Sequence, residues 1–79
     1  MIDMKVSTPL KGFREEAKII QFDMAVNAGI RPNTYTRIER GANVSYTTAM
    51  AILKTLNTFR VNCGLSPVER VEDLGLKIV

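Results

Sequence analysis

Histidine is absent from the 79 residues, and there is one cysteine, Cys63. A lone thiol cannot close an internal disulfide, which fits a reducing compartment. Without histidine or a second cysteine the spacing of a zinc site is missing. No metal or other cofactor is expected. The chain also lacks a phosphate-cradling glycine loop and a nucleophile set beside a base, so an enzyme is not expected. No apolar run reaches the length that crosses a bilayer, and the first residues lack a signal-peptide pattern. A cytoplasmic protein is the expectation. Internal repeats and low-complexity segments are missing as well.

What is present points to a small folded chain. Hydrophobic residues make up 46% of it, too many for disorder and enough for a compact helical bundle. Its length puts the core near the lower limit for independent folding, and one domain over residues 1–79 is expected. The net charge of +3 is unevenly spread. Residues 1–62 hold nine Lys/Arg against five Asp/Glu, whereas residues 63–79 hold two against three. A basic surplus in the first part suits a polyanionic partner without requiring one.

The chain is organised around residues 21–41, QFDMAVNAGIRPNTYTRIERG. Met24, Ala25 and Ala28 recur on one helical face after a start at Gln21. Gly29 supplies the left-handed stop, Ile30 an apolar plug in the turn, and Pro32 a first helical residue. The second helix, residues 32–40, turns Tyr35 and Ile38 inward, leaves Arg31, Asn33, Thr36, Arg37 and Arg40 outside, and ends at Gly41. Upstream, Ile2, Met4 and Val6 alternate as in a strand, within an N-terminal arm of residues 1–8. Thr8 and Pro9 then open a helix to about residue 18 that buries Leu10, Phe13 and Ala17. Downstream, Ser45 caps a helix beginning at Tyr46, with Ala49, Ile52, Leu53, Leu56 and Phe59 at helical spacing and Gly64 as the stop. Ser66 and Pro67 predict a further helix to about residue 74, stopped by Gly75, and residues 76–79 suit a short strand.

Gln21, Ala25, Gly29, Ile30, Thr34, Ile38, Glu39 and Gly41 together resemble the helix-turn-helix of Cro/cI-type (lambda-repressor-like) DNA-binding proteins. Leu10, Phe13, Arg14, Ser45, Thr48, Ile52 and Leu56 extend the resemblance over about the middle two-thirds of the chain. It implies an all-α domain of four to five helices, with room for short terminal strands. Core helices would occupy residues 9–57 and a C-terminal extension residues 58–79. The family usually has Ser, Thr or Asn just before the glutamine; Ile20 stands there instead, so one phosphate-facing cap is lost.

The resemblance also implies roles. Arg14 and Glu39 would form a structural ion pair between the first and third helices. Arg37 carries two parallel donors that match guanine, and Asn33 suits adenine. Arg31, Pro32 and Thr36 complete the expected base-reading set. Gln21, Arg40, Asn43 and Tyr46 are better placed for phosphates, which fix register without reading sequence. Lys11, Lys18 and Lys54 read as solubilising charges. So do Glu15 and Glu16, which diverge as neighbours on a helix. Cys63 reads as a small buried hydrophobe rather than a redox sensor.

From Phe59 onward, Val61, Leu65, Val68, Val71, Leu74, Leu76, Ile78 and Val79 give a tail too apolar to stand beside a finished core. It either packs within its own subunit or leaves a dimer surface, and the alternating termini could pair as strands. The expected function is sequence-specific binding of double-stranded DNA by a homodimeric transcriptional repressor, with residues 32–40 in the major groove. The alternatives are an antitoxin that autoregulates its operon while binding a toxin, and a protein-interaction module on the same fold.

Overall fold

Among the described residues, four helices and two very short strands follow in the order α1 (Pro9–Glu16), α2 (Gln21–Ala28), α3 (Pro32–Glu39), β1 (Asn43–Val44), α4 (Tyr46–Asn62) and β2 (Lys77–Ile78). A single 3-10 turn, Val71–Leu74, lies between α4 and β2. The computed structural model describes residues 8–79. The alternating segment 1–6, and with it any strand pairing of the N-terminus, lies outside the described residues.

The first two helices end differently. In α1, Pro9 follows an extended Thr8, but the Thr8 side chain does not cap the helix. Its hydroxyl instead donates to the Glu39 carbonyl, as does its backbone N–H, both at 3.1 Å. The helix stops at Glu16, two residues sooner than its spacing predicts, because Lys18 sits at φ 59. A left-handed lysine cannot continue a right-handed helix. In α2, Gly29 takes φ 75, and the Ile30 N–H closes back on the Ala25 carbonyl at 2.8 Å. This leaves α3 only a three-residue turn away. Arg31 is extended, as a residue before proline must be.

The core gathers on α4. Ala49, Ile52, Leu53 and Leu56 are buried along it, meeting Leu10 and Ala17 from the α1 side, Met24 and Ala25 from α2, and Tyr35 and Ile38 from α3. Ser45 caps α4 by accepting from the Thr48 N–H at 3.2 Å. The helix runs unbroken past residue 58, so the expected boundary between core and extension falls inside it. Gly64, at φ 82, ends it.

The helix expected from Ser66 and Pro67 does not form. The Asn57 side chain takes both backbone groups of Val68, donating to its carbonyl at 2.8 Å and accepting from its N–H at 2.7 Å. That clamp holds the chain extended until the 3-10 turn, which drops Val71 and Leu74 into the same core. Gly75 then turns at φ 68, where an added Cβ would collide with the Pro9 ring. Beyond it β2 pairs parallel with β1, Asn43 opposite Lys77 and Val44 opposite Ile78. The tail's apolar side chains therefore divide. Val68, Val71 and Leu74 are buried, whereas Val61 and Val79 stay exposed.

Candidate nucleic-acid interface

The inner side of α3 is built first. Tyr35, Ile38 and Glu39 are buried, Glu39 with 2% of its surface exposed. A lone carboxylate at that depth would cost several kcal/mol, and four donors surround it. Arg14 Nε donates to Oε2 at 2.6 Å and Arg14 Nη2 to Oε1 at 3.3 Å. The Tyr35 hydroxyl donates to Oε2 at 2.6 Å and Gln21 Nε2 to Oε1 at 2.9 Å. Burial alone would push the Glu39 carboxyl up. The hydrogen bonds from Arg14, Tyr35 and Gln21, with the Arg14 charge, outweigh it and hold the group below its ordinary range. Burial likewise opposes the charge on Arg14, but Glu39 raises its pKa on balance. Burial and the neighbouring carboxylate both push the Tyr35 hydroxyl upward, so it stays a donor. Arg14 also donates through Nη1 to the Ile19 carbonyl at 2.6 Å, which ties the α1–α2 turn to the same cluster. Three helices thus meet at one carboxylate.

The outer side is open. Arg31, Pro32, Asn33 and Arg37 are exposed and, with Thr34, line one open depression. Four of the five expected base readers are therefore brought together. The fifth, Thr36, is half-buried and outside that lining, and its hydroxyl donates to the Pro32 carbonyl at 3.0 Å. Thr34 lines the same depression although it is not among the expected base readers. Its position three residues after Arg31 and three before Arg37 puts it on their face, a signal the sequence did contain.

Of the expected phosphate contacts, Arg40, Asn43 and Tyr46 are exposed at the end of α3, in β1 and at the start of α4. Gln21 differs: its amide is turned inward onto Glu39. Among the described residues no side-chain hydrogen bond holds Arg31, Asn33, Arg37, Arg40, Asn43 or Tyr46. The α2 start carries no side-chain cap, and Ile20 there is exposed. From residue 31 to 40 the only acidic group is Glu39, so the outward surface of α3 is cationic.

Two further residues depart from expectation. Arg60, unremarked in the sequence, is buried at 7% exposure. It donates to the Ser66 and Phe13 carbonyls and to Glu16 at 2.8 Å, with its guanidinium 5.2 Å from the Phe13 ring centre. Glu16 is thus paired rather than merely solvated. Cys63 is exposed rather than buried, because it sits past the last inward position of α4. Among the described residues no group of His, Cys, Asp and Glu is arranged to hold a metal ion, and no helix is long and apolar enough to cross a membrane.

A short helix anchored from within, following another across a glycine turn and showing cations outward, defines a helix-turn-helix DNA-binding domain. The helix-turn-helix family model matches residues 10–58, and the chain belongs to this Cro/cI-type family. The family is one of DNA-binding transcription regulators rather than of enzymes. No curated protein and no solved structure matches the chain.

Proposed function

We propose that the protein reads a specific site on double-stranded DNA with α3 in the major groove and represses transcription there as a homodimer. One observation carries this: Arg31, just before α3, lines one exposed depression with Asn33 and Arg37 of a helix whose opposite face is fully engaged. Arginine offers a bidentate pair to guanine and asparagine to adenine. Arg40, Asn43 and Tyr46, exposed at the end of α3 and in the segment that follows it, would hold phosphates. Gln21 can add to them only with what its amide does not give to Glu39.

Pairing of two copies follows from reach. Eight residues of helix extend about 12 Å, which spans only about four base pairs at roughly 3.4 Å each. So few positions cannot single out one site in a genome. Two copies on half-sites about 34 Å apart would double them. Exposed Val61 and Val79 are available to such a contact, though most of the tail is spent inside its own core. Residues 1–79 would act as one DNA-binding domain.

Selection from a random pool of duplexes tests the reading. A twofold-symmetric consensus is expected, and Arg40→Ala should weaken every sequence alike while lowering the salt slope by about one. A pool that emerges unenriched would remove DNA reading. Sedimentation at the mass of one chain would remove the dimer. A second reading, contact with another protein such as a toxin, is favoured by Phe22 and Val26, exposed one turn apart on α2 at 58% and 55%. Phe22→Glu should abolish such a complex and leave DNA selection unchanged.

A further inference from the structure

The Arg14 pair alone does not account for the way Glu39 is held. Each carboxylate oxygen has a second donor, and these come from different places. Oε2 takes the Tyr35 hydroxyl from within α3 itself, and Oε1 takes the Gln21 amide from the first turn of α2. We propose that Tyr35 and Gln21 are positioning residues for base reading, fixing the roll of α3 through the Glu39 carboxylate. The inference rests on α3 being the helix that contacts DNA.

A carboxylate offers about four lone-pair sites, and here all four receive a donor. Its plane can then turn neither about its own axis nor away from α2. Tyr35 is completely buried, and a phenyl ring at that position would supply the same apolar contact. The hydroxyl therefore adds direction rather than bulk. Direction matters because a roll of about 10° on a helix of roughly 5–6 Å radius moves a side-chain tip by about 1 Å. A site built for defined contacts tolerates about half that. Arg37 and Asn33 lie two residues to either side of Tyr35, so any roll reaches them directly.

The test compares the parent with Tyr35→Phe and Gln21→Met on the duplex selected by the parent and on random duplex, across a salt series. Both variants are expected to lower the selected-to-random affinity ratio roughly three- to tenfold, the loss of one hydrogen bond, with an unchanged salt slope. A lowered melting temperature with the parental ratio would make the two groups structural only and overturn the proposal. Should Tyr35→Phe fail to fold, Gln21→Met decides alone, since it leaves the buried ring in place. A Gln21→Met that keeps the ratio and lowers the salt slope by about one would assign that amide to a phosphate and overturn its positioning role. A parent that prefers no sequence overturns the DNA reading, and this inference with it.

Discussion

The two sides of α3, together with Arg31 just before it, have opposite chemistry. Inside, Tyr35, Ile38 and Glu39 are buried, and every polar atom of the Glu39 carboxylate has a partner. Outside, Arg31, Asn33 and Arg37 are exposed and hold none of the described side chains by hydrogen bond. The inner face satisfies its polar groups within the fold, so it contributes to stability. The outer face leaves donors open, so it adds little to stability and is available to a ligand. The side of α3 that serves folding and the side left open to solvent thus lie half a turn of helix apart.

The comparison breaks most readily at Glu39. Glu39→Ala should destabilise the fold by about 3–5 kcal/mol, since it strands the buried Arg14 charge, and urea unfolding would measure it. At this chain length a loss of that size lowers the melting midpoint by more than about 10 °C. Arg37→Ala should do the reverse. A cost of about 1–3 kcal/mol is expected at the selected site, with stability within about 0.5 kcal/mol of the parent. If Arg37→Ala unfolds the protein or Glu39→Ala spares it, the division between faces is wrong.

Acid sharpens the same contrast. The Glu39 carboxyl lies below its ordinary value of 4.5 in the folded chain. Its stabilisation is therefore present above pH 4.5 and is lost as pH falls through the lower folded value. Urea midpoints should drop on acidification below 4.5, and Glu39→Gln should flatten that part of the curve. The smallest expected change is at Ile20, which is 60% exposed and caps nothing. Ile20→Ser should stabilise α2 by about 1 kcal/mol, read as a higher urea midpoint. A lowered midpoint would show that the exposed isoleucine contributes packing.

The helices were legible because each carries its own punctuation. Pro9 and Pro32 start two of them, Gly29 and Gly64 stop two, and Ser45 caps one. The short fifth helix was misread because Ser66-Pro67 is a valid local start signal. What overrides it is Asn57, nine residues upstream of Ser66, whose amide takes both backbone groups of Val68. A long-range bond of that kind leaves no mark in a local window. The exposure of Arg31, Asn33 and Arg37 and their grouping at one depression were legible from spacing. Spacing did not show that Thr36 is half-buried with its hydroxyl returned to the Pro32 carbonyl.

Local rules set by sterics and periodicity determined which segments coil, where they stop and which face of each is apolar. These depend on neighbours within about four residues, so the sequence alone carries them. Tertiary structure decided the rest: that Gln21 turns toward Glu39, that Arg60 is buried against Phe13 and Glu16, and that β2 pairs with β1. Each of these joins residues far apart in the chain. A side chain with several donors has several local outlets, and only packing selects among them.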